Sequence, residues 1–376
     1  MKISNAINFI IKVWLRAKLI ALRRRYYILT KGKFYPYPEV SKNIYLNPSQ
    51  MHEEIYADLR KKLDIKNNDL SIKDWQFQAR NKLKELIGAN KNLVARPFEE
   101  NQFIYKNKYK RKKYYFSFNK QRFAPVDFIE RLENKIPKGI VICMQGTNSG
   151  AHLNLGEIRM PADTYKVFNG ADLALQAADQ GFLAISYERI GYGERQERNL
   201  KKVSMYPTLD ISLHSIILGS SLLGETVNEL ISIIDWLKKE KYNLPIWIVG
   251  YSSAGYSSLI TAAIETRING IAIGGCIGSA QDTLLKRGQT AFLEVPSMLE
   301  WFDQDSILAL MSPRPTIVIA GEKDHIWPYK GAKKIVEQSK QAFLNLNQLE
   351  NLKLIKGKLG HTYYPKLMWS EINKYF

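Results

Sequence analysis

The chain has 376 residues, with 55 Lys and Arg against 36 Asp and Glu, a formal net charge of +19, five His and two Cys. That length fits one large domain with an extension rather than a minimal domain. Two cysteines suggest no disulfide framework, and the few, dispersed histidines suggest no metal site, so neither metal nor cofactor is expected.

Residues 1–95 read as a basic, mainly helical N-terminal extension. Residues 1–38 hold nine Lys or Arg and no acid. Ile3, Ile7, Ile10, Ile11, Trp14, Ala21 and Leu22 recur on one helical face, with Lys12, Arg16 and Arg23 roughly opposite. That pattern suits peripheral contact of residues 1–30 with an anionic membrane surface, and equally a helix docked on the following domain. Charges at Lys12, Arg16 and Lys18 interrupt any apolar run long enough to span a bilayer or to serve as a secretion signal. A cytoplasmic location is therefore expected, with a peripheral position at the inner membrane face as a further expectation. Residues 40–95, with Ile55, Leu59 and Leu63 at helical spacing, read as accessory helices.

A second basic run, Lys106, Lys108, Lys110, Arg111, Lys112 and Lys113, is interleaved with Tyr105, Tyr109, Tyr114 and Tyr115. It reads as a hairpin at a sheet edge, where lysines block edge pairing. Contact with an anionic polymer is the sharper alternative. Nucleic acid ranks last, since no recognition motif accompanies the charge.

From residue 139 onward, short apolar strands near 139, 182, 246, 271, 316 and 352 alternate with helices, the pattern of a mostly parallel sheet covered on both faces. Val227, Leu230, Ile231, Ile234 and Leu237 make 222–241 an amphipathic helix feeding the strand at 246, and Tyr256, Leu259, Ile260 and Ala263 continue a helix beyond it. Cys143 and Cys276 sit inside apolar strands as small buried hydrophobes. The stretch 282–310, with Phe292, Leu293, Met298, Leu299, Trp301 and Phe302, is the candidate substrate-facing insertion.

The strand Ile246, Trp247, Ile248, Val249 runs into Gly250-Tyr251-Ser252-Ser253-Ala254-Gly255. Small residues two before and two after a serine are what a sharp strand-to-helix turn requires, the sequence form of a nucleophile elbow. A serine needs a histidine to take its proton and a carboxylate to fix that histidine's tautomer, here in the order Ser, acid, His. Only His325 and His361 follow the elbow; His361, released onto a loop after the strand at 352, is the expected base. Asp324, on the loop after the strand at 316, is the expected acid, with Glu322 the runner-up and Asp303 or Asp305 further alternatives. His325 reads as a neighbour. For the oxyanion hole, one N–H is expected from Ser253 and one from the loop Gln145-Gly146-Thr147-Asn148-Ser149-Gly150, Thr147 preferred and Gly146 second. That loop matches neither phosphate-binding fingerprint.

With these residues assembled, 139–370 resembles the alpha/beta-hydrolases, in particular the bacterial branch related to dienelactone hydrolase and acetyl xylan esterase. Met144-Gln145-Gly146 with Gly150 and His152, Asp172 to Ala177, Gly181 to Ala184, Glu188-Arg189 through Gly191-Tyr192-Gly193-Glu194, Pro313-Arg314-Pro315, Gly321 to Asp324 and Gly360-His361 carry the likeness. Ala254 in place of a second elbow glycine, and Gln145 where many relatives place histidine, depart from the pattern. The resemblance implies an α/β hydrolase domain over 96–376 that cleaves a carboxylic ester through an acyl-enzyme, with short acyl groups such as acetyl on a saccharide or small molecule as substrate. A peptidase or amidase acting on short peptides, and a non-catalytic membrane- or polyanion-binding protein on the same fold, are the alternatives.

Overall fold

The computed structural model describes residues 47–376 apart from 89–92, 134–135, 202–206, 241 and 288–292, together with 15, 18–23, 25–26 and 29–30, which are helical. Ile3, Ile7, Ile10, Ile11, Lys12, Trp14 and Arg16 of the expected amphipathic face, and Phe292 of the candidate insertion, lie outside the described residues. The chain divides into two compact units, 1–51 and 52–376. Residues 52–95, expected with the extension, thus belong to the second unit.

Helix α1 spans Pro48–Asp58 and α2 spans Ile72–Leu86, the latter opened by Ser71, whose side chain accepts from the amide of Asp74. Trp75, Ala79 and Leu83 recur at helical spacing on α2 and are fully buried in the main core, so this helix is structural. Three antiparallel strands follow: β1 (Arg96–Tyr105), β2 (Tyr109–Asn119) and β3 (Arg122–Arg131). Strands β4 (Ile140–Met144), β5 (Leu183–Tyr187), β6 (Ile246–Tyr251), β7 (Ile268–Gly274), β8 (Thr316–Gly321) and β9 (Leu352–Gly357) complete a nine-stranded sheet. Its order is β1-β2-β3-β5-β4-β6-β7-β8-β9. From β5 to β9 every pairing is parallel, and the antiparallel β3–β5 pairing joins the meander to it.

The strands alternate between two cores because successive side chains point to opposite faces. Ile140, Ile142, Ile246 and Ile248 enter one core, under α2, α6 (Leu222–Lys239), α7 (Ser253–Ile264) and α11 (Tyr329–Leu344). Val141, Cys143, Trp247 and Val249 enter the other, under α4 (Leu173–Asp179) and α12 (Pro365–Ile372). The remaining helices are short: α3 (Asp163–Phe168), α5 (Pro207–Ile217), α8 (Leu284–Arg287), α9 (Met298–Trp301) and α10 (Gln304–Ala309).

The basic run departs from its expected place. It leads into and occupies β2, which is flanked by β1 and β3, so it does not guard an edge. Its cations are taken up by partners. Arg111 is buried between Asp127 (2.7 Å) and Glu157 (2.9 Å), while Lys108, Lys110, Lys112 and Lys113 pair with Asp179, Glu130, Glu100 and Glu194. Lys106 donates to the carbonyl of Leu155. The alternating Tyr and Lys therefore build a cross-strand ion-pair lattice, with opposite charges facing each other across the meander.

Candidate active site

The turn between β6 and α7 places Ser252 at φ 57° and ψ −130°, a sparsely populated conformation for a residue with a side chain. The surroundings enforce it. A Cβ on Gly250 would lie 2.6 Å from Ser258 Oγ and 2.8 Å from the carbonyl of Ala254, and one on Gly255 would lie 2.6 Å from Cys276 Sγ. Helix and strand thus approach too closely for larger residues, and the turn is left to lift Ser252 out of the sheet. Its amide donates to the carbonyl of Gly274 on the neighbouring strand (2.7 Å), which anchors the strained residue.

Three strand ends bring the expected residues together. Ser252 Oγ lies 3.1 Å from His361 Nε2, and His361 Nδ1 lies 2.7 Å from Asp324 Oδ2. Asp324 follows β8 and His361 follows β9, so the sheet's parallel register delivers all three to one edge. The other carboxylate oxygen of Asp324 accepts from the amides of Ile326 and Trp327. Burial alone would push this carboxyl up, but the hydrogen bond and charge of His361 with those two amides outweigh it and hold Asp324 below the usual carboxylate value.

The alternative acids lie elsewhere. Glu322 pairs with Lys356 in solvent, Asp303 accepts from Tyr56 and two backbone amides, and Asp305 pairs with Lys66. His152 is buried beside Asp163 (2.9 Å). Among the described residues no group of His, Cys, Asp or Glu is arranged to hold a metal ion.

The loop after β4 lies against the elbow. A Cβ on Gly146 would come within 2.6 Å of the carbonyl of Tyr251 and 3.1 Å of Ser252 Cβ, so only glycine allows this approach. Thr147 Oγ1 donates to Ser253 Oγ at 3.0 Å. Ser253 is the first residue of α7, where amides have no partner within the helix.

Two further features were not assigned roles from the sequence. Arg189, buried just past β5, donates through Nη2 to Ser253 Oγ (2.9 Å) and to the carbonyl of Gly146 (3.0 Å), and its guanidinium lies over the ring of Tyr192. Because a trans peptide sets its C=O and N–H on opposite sides, holding the Gly146 carbonyl fixes the direction of the Thr147 amide. Gln145 is the second. Its Nε2 donates to Asn154 Oδ1 and the carbonyl of Ala171, while its Oε1 accepts from Tyr363 and Asn148. The glutamine thereby ties the loop after β4 to the loop that carries His361. A Glu-Arg pair placed directly after a short, fully buried strand was the available signal for Arg189.

Below this loop, Glu188 Oε1 accepts from the amide of Ala151 (2.9 Å), and burial pushes its carboxyl up to about 7.

A match to known proteins accompanies this geometry. A candidate hydrolase of Bacillus subtilis (strain 168), YtaP, is 22% identical over 244 residues, covering 63% of this chain and 78% of that protein. Among solved structures, a candidate acetyl xylan esterase from Bacteroides fragilis superposes with a TM-score of 0.72 at 15% identity, covering 90% of this chain and 97% of that one. A glucuronoyl esterase from Solibacter usitatus does so with 0.56 at 13% identity, covering 85% and 98%. At such identities these structures establish the shared fold. The model of the Abhydrolase family (Abhydrolase_7) matches residues 37–341, most of the chain, and the protein belongs to that family, within the alpha/beta-hydrolase superfamily.

Proposed function

We propose that the protein is a serine hydrolase that cleaves a carboxylic ester through an acyl-enzyme. The observation that carries this is the chain of hydrogen bonds from Ser252 through His361 to Asp324, formed at a strained elbow. Ser252 Oγ attacks the ester carbonyl carbon as His361 Nε2 takes its proton. Asp324 holds His361 in the tautomer with the proton on Nδ1 and stabilises the imidazolium that forms. The tetrahedral oxyanion is received by the amides of Ser253 and Thr147, the latter aimed by Arg189. Collapse breaks the ester bond, and the alkoxide leaves with the proton held by His361. Water then adds to the acyl-enzyme by the same route in reverse roles, releasing the acid and restoring Ser252.

On the substrate side, the esterases among the structural relatives support an ester of a small molecule or saccharide, with acetyl as the simplest acyl group. Fluorophosphonate labelling tests the nucleophile: labelling is expected in the native protein and absent in Ser252→Ala. Labelling that persists in Ser252→Ala and disappears in Ser253→Ala would move the nucleophile by one residue.

A further inference from the structure

A cavity of about 510 Å³ reaches the helix that follows the elbow, at Tyr256, and is not lined by Ser252, Asp324 or His361. Its walls are apolar, from Ile55, Leu59, Ile216, Leu285, Met298 and Leu299, side chains contributed by four separate stretches of chain. Tyr256 also lines it, one helical turn past Ser252, and its backbone amide donates to the Ser252 carbonyl (3.2 Å). The volume falls within the range of pockets that enclose small organic molecules.

The cavity has a polar end. There Tyr56 donates to Asp303 Oδ2 (2.5 Å), and the Gln304 side chain, 2% exposed, forms part of the lining. Gln304 Oε1 accepts from the amide of Gly278 (2.9 Å), but its Nε2 has no partner. That donor has no surface open to the cavity, so the apolar walls are what a ligand would contact. Gly278 lies on the loop that leaves β7, where a Cβ on Gly275 would lie 3.0 Å from His361 Cε1. The same short loop therefore borders both the cavity and the catalytic histidine.

We infer that this cavity binds an extended apolar substituent of the ester substrate, while the ester carbonyl sits at Ser252. This inference rests on the proposed esterase reading and narrows it to esters with a sizeable apolar part. The substituent belongs either to the acyl or to the alcohol half, and two substrate series separate these sources. One runs from 4-nitrophenyl acetate to the decanoate, and the other from methyl to butyl to 2-phenylethyl acetate.

In one of the two series kcat/KM is expected to rise at least about tenfold, the worth of a few methylenes in an apolar pocket. Leu299→Trp and Ile216→Trp, which fill the cavity from two separate stretches of chain, are expected to remove that rise and leave the smallest ester of the series within about threefold of the native rate. Thermal unfolding identifies a filling variant that has lost its fold, and the other then decides. Binding of 2-decanone, an apolar chain with one acceptor, is measured by calorimetry on Ser252→Ala, so that no turnover is needed. Binding is expected to be lost when either filling substitution is added. A flat profile in both series with Ser252 still labelled by fluorophosphonate overturns the cavity assignment alone. Ketone binding indifferent to the filling substitutions also overturns it. Loss of labelling specificity for Ser252 overturns the esterase reading instead.

Discussion

Ser252 holds a backbone conformation that costs on the order of 1–3 kcal/mol, and the cost is met by close packing rather than by the hydroxyl itself. Replacing it with alanine therefore leaves the turn intact. Ser252→Ala is expected to lower ester turnover by at least about 10⁴-fold, with an unchanged thermal melt. Arg189 acts through others. Arg189→Lys keeps a charge but loses the planar fork that reaches both Ser253 and Gly146, so kcat is expected to fall about tenfold with KM nearly unchanged. A role confined to stability would lower the melting temperature and spare kcat. Glu188 makes a pH prediction. Its carboxyl rises from 4.5 to about 7 on folding, so the folded chain binds that proton more tightly than the unfolded chain. The resulting stabilisation is complete below pH 4.5 and is lost as the pH rises through about 7, at most about 3 kcal/mol. Thermal melts between pH 4.5 and 8 are expected to show this loss, and Glu188→Gln is expected to flatten it.

At the level of elements, the strand-turn-helix unit of β6 and α7 depends on its glycines. Gly250→Ala would press a methyl group against Ser258 and the Ala254 carbonyl, and is expected to destabilise the fold by about 1–3 kcal/mol. Chemical denaturation measures that cost, and a parallel fall in turnover would show the elbow displaced. Most of this unit was legible in the sequence, because apolar runs such as Ile246 to Val249 and the small residues around Ser252 are local signals. Asp324 and His361 were legible for the same reason: each lies a few residues past a recognisable strand, and a parallel sheet gathers such loops at one edge. Three features were not. The basic run sits on an interior strand because Glu100 and Glu130 of the adjacent strands, with Asp179 and Glu194 from far along the chain, neutralise it. Gln145 reads as a mere departure until Tyr363, 218 positions later, is seen to bond it. Residues 52–95 look like an appendage because only the folded sheet shows what Trp75 and Leu83 pack against.

For the whole molecule, the charge is unevenly distributed along the chain. Residues 1–46 hold ten Lys or Arg and one acid, Glu39, a surplus of nine out of a net +19. The hairpin around β2, by contrast, spends its cations on internal ion pairs and has little left for an external anion. For contact with an anionic surface we propose the N-terminal region, on its sequence pattern alone. Each Lys or Arg near a negatively charged leaflet contributes about 1 kcal/mol at moderate ionic strength, and the attraction fades within a Debye length. Deleting residues 1–30 removes seven cations and no acid, while Ser252, Asp324 and His361 remain in the compact unit 52–376. The full chain is expected to sediment with phosphatidylserine vesicles at low salt and to be released by raised salt. The shortened chain is expected to stay in the supernatant and to keep its fluorophosphonate labelling. Equal sedimentation of the two would assign the surplus charge to some other task and leave the proposed hydrolase chemistry untouched, since residues 1–30 and the proposed catalytic residues occupy separate stretches of the chain.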